Sequence, residues 1–246
     1  MKKTLLTLAC AISASPALAL NINFTGYENN SFFGAEQLEI LNLAAWQYEN
    51  RITDDVTINV RLYTDSTLDM TYPYALAEGG PSWRSTGNIN VTNITGGSIN
   101  YNVGGNFGAR SFSDFDLYSL TLHELGHVLG IVSRFAPWNN LLTTIDGELW
   151  FTGEYSVGIY GGLVPVTVDG SHWDSSRWNF GSEIYPAMFT VLYPGQIQPL
   201  SELDYAALAD MGWNVTFVPE PETWAMLLAG FGIVGTIATK RRRVAV

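Results

Sequence analysis

The sequence predicts an α+β fold, and three patterns point to it. Residues 56–63, VTINVRLY, alternate apolar and polar with Val56, Ile58, Val60 and Leu62 on one face, the period of a half-buried strand. Residues 34–51 and 113–130 instead repeat apolar side chains three and four apart, the period of a helix face turned to a core. Glycine pairs divide the region between them into short alternating pieces. The expected order is a mixed N-terminal sheet with two long helices, then an irregular C-terminal part and a final helix.

Both ends of the chain stand apart from this body. Residues 1–19 open with Lys2 and Lys3, continue in an apolar run over 5–12 and finish at Ala17-Leu18-Ala19, the layout of a secretory signal peptide. The single cysteine, Cys10, falls inside that segment, so residues 20–217 offer neither disulfides nor thiolate ligands. At the other end Pro219-Glu220-Pro221 precedes an apolar stretch over 224–239. That stretch is slightly short for the roughly 20 residues of a membrane span. Lys240 and three arginines follow, a cluster that the positive-inside rule holds in the cytoplasm.

The chain therefore divides into a signal peptide over 1–19, one domain over 20–217 and a sorting or transmembrane segment over 218–246. The ends hold six of the twelve basic residues and two of the 23 acids. The body keeps six arginines, no lysine and 21 acids, a net charge of −15 with neutral histidines. Such a surface repels polyanions and excludes nucleic acid as a partner.

Along the body, 21–31 reads as an opening strand and loop. The helix over 34–51 turns Leu38, Leu41, Ala45 and Tyr48 to one face, which Ile40, Leu43 and Trp46 are expected to widen. After the 56–63 strand, Gly79-Gly80-Pro81, Gly96-Gly97 and Gly104-Gly105 read as turns, with short strands over 88–94 and 98–103 completing the sheet. Asp54, Asp55, Asp65 and Asp69 lack the spacing of a calcium loop and read as solvated surface. Ser113 reads as the N-cap of the second helix, with Asp116 three residues on, and Gly130 as its end. Residues 131–169 read as a long connection. Ser201 caps a last helix that Gly212 stops.

The second helix carries the chemistry. Residues 121–130 read TLHELGHVLG, with His123 and His127 four apart and Glu124 directly after the first. Positions i and i+4 share a helix face, with Cβ atoms about 5–6 Å apart, so both imidazoles can bind one metal ion. Glu124 lies about 100° further round and can flank the ion as a base without binding it. This is the H-E-x-x-H pattern of zinc hydrolases. The body holds one further histidine, His172, and three protein ligands plus a water make a catalytic zinc site. His172 is the expected third ligand, with Glu183, Asp174 and Asp146 as alternatives. An all-imidazole site favours Zn2+ but admits other late first-row metals.

HELGHVLG, with Gly130 three residues past the second histidine, resembles the metzincin metallopeptidases. Most of those place the third ligand at what is here Ser133, a poor zinc ligand. The sequence is similar instead to the leishmanolysin-like branch, in which a long insertion precedes the third histidine, and GSHWD around His172 matches that displaced ligand. The resemblance implies a metzincin-like fold: a twisted mixed N-terminal sheet, and an irregular C-terminal subdomain with a methionine turn under the metal. Met188 in YPAMFT matches that turn, although a core methionine filling a gap accounts for it as well. Tyr193 and Tyr185 are the nearby candidates for a transition-state donor, and neither has the family's spacing from Met188. The C-terminal segment, with its Pro-Glu-Pro, apolar stretch and arginines, resembles a PEP-CTERM sorting signal. That resemblance implies recognition by an exosortase-type peptidase in a Gram-negative bacterium, with an inner-membrane anchor through 224–239 in transit and release to the surface or exterior.

The expected function is a secreted zinc endopeptidase acting on a protein or peptide substrate. A Zn-bound water attacks the peptide carbonyl, and Glu124 takes its proton as general base. A non-enzymatic, zinc-stabilised surface or matrix protein is the alternative, though it gives Glu124 no role. A zinc amidase acting on a non-protein bond differs only in substrate.

Overall fold

The structure is a computed structural model that describes residues 20–65, 77–83, 91, 94–102, 107–108, 115–178 and 185–217. The chain divides into two units, Met1–Val215 and Thr216–Val246, and every element below lies in the first. The 1–19 segment, Ser113, Glu183, the Gly104-Gly105 pair and the apolar 224–239 stretch lie outside the described residues.

The fold is α+β. A four-stranded mixed sheet has the order β1-β2-β4-β3, from β1 (Asn21–Thr25), β2 (Thr57–Asp65), β3 (Ala77–Trp83) and β4 (Ile94–Asn102). β1, β2 and β4 run parallel, and β3 joins the edge antiparallel to β4. Parallel neighbours need a crossover, and α1 (Ala35–Glu49) supplies it between β1 and β2. One face of the sheet is apolar. Ile22, Phe24, Ile58, Val60, Leu62, Ile99 and Tyr101 alternate inward along their strands and are buried.

α1 buries Leu41, Ala44, Ala45 and Tyr48. Leu43 and Trp46 do not widen that face, being 53% and 51% exposed. They lie well round the helix from Leu41 and Ala45, on its exposed side. Tyr48 reaches across to donate its hydroxyl to the Leu122 carbonyl, 2.7 Å away. That bond ties α1 to α2 (Leu117–Val128).

The expected turns at Gly79-Gly80-Pro81 and Gly96-Gly97 are strand instead, inside β3 and β4. Their glycines serve close approach rather than chain reversal. A Cβ at Gly97 would stand 2.7 Å from Val128 Cγ1, and one at Gly79 would stand 2.6 Å from the Glu124 carbonyl oxygen. Without side chains there, the sheet lies directly against α2. The N-cap of α2 is also corrected. It is Asp116, whose carboxylate accepts from the Ser119 N–H at 2.9 Å. The preceding Phe115–Asp116 pairs in parallel with Phe107–Gly108, so the helix starts later than a Ser113 cap implies.

Residues 131–169 are not a plain connection. They hold α3 (Ala136–Asn139), a hairpin of β7 (Leu142–Ile145) and β8 (Glu148–Phe151), α4 (Glu154–Tyr160) and β9 (Val164–Val166). With β5 (Phe107–Gly108) and β6 (Phe115–Asp116), the strands number nine among the described residues. β7-β8-β9 form an antiparallel sheet. The hairpin turns on Asp146 and Gly147, with φ of 53° and 83°. Two left-handed residues in a two-residue loop are what Asp-Gly favours. Trp138, Phe151 and Trp173 form the core here, with Trp138 and Phe151 stacked at 4.4 Å.

The chain closes with α5 (Glu202–Met211), capped by Ser201 and ended at Gly212 with φ 107°, as its sequence predicts. Trp213 donates its indole N–H to the Leu129 carbonyl and Arg51 pairs with Glu202, so α5 is fastened to both long helices.

Candidate metal centre

α2 delivers His123 and His127 to one face a single turn apart. The third imidazole arrives from the loop after β9, where Trp173 bridges in strand fashion to Val166 on one side and Phe189 on the other. That double bridge fixes His172, the residue before it, over α2. The His127 Nε2 stands 3.1 Å from the Nε2 of His123 and 3.1 Å from that of His172. All three ligand atoms lie within 4.8 Å of one another.

The tautomers follow from the partners. His123 donates Nδ1–H to the Ala187 carbonyl at 2.8 Å, and His127 donates Nδ1–H to the Ile131 carbonyl at 2.7 Å. A carbonyl oxygen only accepts, so each Nδ1 carries the proton and each Nε2 presents a lone pair. The Nδ1 of His172 faces Asp169 Oδ2 at 3.0 Å, and a carboxylate there likewise accepts. Three Nε2 atoms therefore converge. Burial, then the neighbouring imidazoles, hold His123 well below the ordinary histidine range, and burial together with His172 pushes His127 down to about 3. These rings are neutral, as metal binding requires.

The residues fit a zinc ion. Tetrahedral coordination with Zn–N of about 2.0–2.1 Å separates ligand nitrogens by about 3.3 Å, close to the spacing found here. Each ligand also has an acceptor behind it, the usual second layer of a metal site.

Glu124 is 3% exposed, and its carboxylate Oε2 lies 2.7 Å from where a Cβ at Gly79 would stand. β3, the edge strand, therefore passes directly over the glutamate beside the ligands. Met188 is fully buried beneath the helix, so close that a side chain at Gly126 would fall on its sulfur. Its neighbour Ala187 supplies the carbonyl that holds His123.

Two of the alternative ligands are occupied elsewhere. Asp146 is the hairpin turn residue. Asp174 accepts from the Ser176 N–H and pairs with Arg177 at 2.7 Å. Tyr185 and Tyr193 are exposed, and among the described residues neither hydroxyl bonds to His123, Glu124, His127 or His172. Ser133 lies beside the third ligand's loop, donating its N–H to Ser171 Oγ at 3.1 Å.

Two acids that support the site are not evident from periodicity. Asp169 backs His172. Burial works to raise its pKa, but hydrogen bonds from His172 and Thr167 hold it well below the ordinary carboxylate range. Asp204 is fully buried on α5 and accepts from the N–H groups of Ala187 (2.9 Å) and Met188 (3.3 Å) and from the indole of Trp173 (3.0 Å). Burial pushes its carboxyl up, against the pull of the Ser201 and Ala187 N–H groups. One carboxylate thereby joins the turn at Ala187 and Met188, the bridge residue Trp173 and the last helix. Its sequence signal is the S-x-x-D capping box, in which Asp204 is the returning partner.

Residues 217–243 match the PEP-CTERM protein-sorting motif. The motif implies export and sorting to the surface or exterior of a Gram-negative bacterium through an exosortase-type system. No curated protein matches the chain. Among the described residues no helix is long and apolar enough to cross a membrane.

Proposed function

We propose that the protein is an exported zinc endopeptidase of metzincin type, of the leishmanolysin-like branch, with His123, His127 and His172 as ligands and Glu124 as general base. The observation that carries this reading is the convergence of three imidazole Nε2 atoms on one point, with Glu124 on the same helix between two of them. A structural site is closed by four protein ligands, whereas three leave a position open for water and substrate.

Zinc bound there would act as a Lewis acid on a carbonyl and lower the pKa of a water molecule. Glu124 would take the proton of the attacking water and return it to the leaving amine. The backbone acceptors at Ala187 and Ile131 hold the two helix imidazoles so that they need not reorganise as charge develops. β3 is hydrogen-bonded on one side to β4, with no described strand on its other side. An extended peptide added at that edge would lie beside Glu124.

Several features support the metzincin assignment. Met188 lies under α2, a mixed sheet precedes the helix, and Ser133 touches the loop that carries His172. The test uses the purified protein with zinc content measured beside cleavage of an unstructured protein. Glu124→Gln should keep one zinc and lose cleavage, and His172→Ala should lose zinc. Undiminished cleavage by Glu124→Gln refutes the enzyme and favours a zinc-stabilised surface protein. Full zinc retention by His172→Ala refutes the third ligand.

A further inference from the structure

We infer that Asp169 is a positioning residue for the third ligand, and that the internally bonded loop 167–172 presents His172 to the metal. The inference rests on the zinc reading above.

The three imidazoles are not held alike. His123 and His127 are anchored by a helix and donate to neutral backbone carbonyls. His172 has no helix of its own and donates instead to the carboxylate of Asp169, three residues earlier. A loop ligand needs both its ring orientation and its tautomer imposed from outside, and a carboxylate behind Nδ1 does both. The loop around it is closed by its own bonds. Thr167 donates its N–H to the His172 carbonyl at 3.0 Å, and Gly170 donates its N–H to the Thr167 carbonyl at 2.8 Å. The other oxygen of Asp169 accepts from the Thr167 hydroxyl and, at 3.3 Å, from the Ser171 N–H.

Gly170 makes this geometry available. Its φ of 73° turns the chain back, and a Cβ there would stand 3.1 Å from Ser133 Cβ. The Asp169 side chain is 51% exposed, so its contact with His172 is screened by solvent and adds little to folding. Its effect should fall on the ligand, and that separates positioning from general stability.

The experiment uses the full chain, with zinc itself as the probe in competition against a chromophoric chelator. Asp169→Ala should raise the zinc Kd by about 10- to 100-fold. Asp169→Asn should lie between, because its amide oxygen still accepts from Nδ1 while the charge and the bond from Ser171 are lost. The urea midpoint of the metal-free protein should stay where it is for both variants. Nitrogen-15 shifts of the metal-free protein should show His172 as the Nδ1–H tautomer, and as a mixture in Asp169→Ala.

An unchanged zinc Kd in Asp169→Ala, or an Nε2–H tautomer at His172 in the unaltered protein, overturns the inference while leaving the zinc reading intact. A fall in metal-free stability that accounts for the whole loss of zinc also overturns it, since Asp169 would then be structural. An unaltered protein that binds no zinc overturns both readings.

Discussion

Replacing Gly126 by alanine should destabilise the protein, against the ordinary preference of a helix. In an open helix interior alanine is favoured over glycine by about 1 kcal/mol. Gly126 is buried within α2, however, and its added Cβ would fall on the Met188 sulfur and lie 3.3 Å from both Met188 Cε and the Tyr48 hydroxyl. Methionine bends readily, but Met188 is fully buried and its backbone is pinned. Its N–H goes to Asp204, and its carbonyl accepts from the Trp173 N–H at 3.0 Å. Inserting a methyl group into such a place costs about 1–3 kcal/mol. The net expectation is a loss of about 1 kcal/mol, read from urea denaturation of the metal-free protein. A double-mutant cycle isolates the cause. In a Met188→Ala background the same alanine should stabilise by about 1 kcal/mol, giving a coupling of about 2 kcal/mol. Zinc affinity should fall in the single variant, because the Ala187 carbonyl that holds His123 sits in the displaced turn. A stabilised Gly126→Ala protein, or coupling below about 0.5 kcal/mol, would refute the proposed packing of Met188 under the metal helix.

Three further outcomes follow from the same geometry. Asp204→Ala strips the acceptor from the Ala187 and Met188 N–H groups and the Trp173 indole. At about 1–3 kcal/mol per buried orphan donor, the unfolding free energy should drop by about 3 kcal/mol or more, and a drop below about 1 kcal/mol rejects the clamp. Gly79→Ala places a Cβ 2.6 Å from the Glu124 backbone oxygen and 2.7 Å from its carboxylate, so cleavage should fall by about 100-fold with zinc retained; full activity in a peptide assay contradicts that contact. Burial raises the pKa of Tyr48 and Tyr101, so above about pH 10 the unfolded chain sheds protons that the folded chain keeps. Stability should then fall by about 1.4 kcal/mol per pH unit for each of the two. Their phenolate absorbance should appear together with loss of the far-ultraviolet dichroism, and ionisation without unfolding speaks against their burial.

The elements legible in the sequence are those whose signal is local. The strand at 57–65 declares itself by alternation. α5 does so through Ser201 and Gly212, and α2 through the spacing of two histidines and a terminal glycine. Where the expectation failed, a long-range contact had overridden a local one. Gly79, Gly96 and Gly97 carry the composition of turns, yet they are strand residues because α2 and the neighbouring strand leave no room for a Cβ. Nothing in the local sequence encodes that neighbour. Leu43 and Trp46 have the right residue type for a core but sit on the side of α1 that nothing described covers. The β7-β8 hairpin is a different case, because Asp146-Gly147 between apolar runs is a legible signal. Asp146 there is a turn residue and no part of the histidine cluster.

The site divides along the same line. The three clustered residues could be read from a count: three histidines in a body without cysteine leave little choice for an imidazole cluster. Ligand support could not, because the acceptors behind His123 and His127 are carbonyls, which every residue possesses. Which carbonyl lies within 3 Å of a ring is decided by tertiary packing alone. Asp204 shows how that packing is imposed from a distance. It lies more than thirty residues past His172, and yet its bonds fix both the turn that holds His123 and Trp173, the residue after His172. A buried carboxylate surrounded by donors is stable only when all those donors are in place. The histidine cluster and the last helix should therefore form or fail together, which makes Asp204 the residue where folding and the proposed metal binding meet.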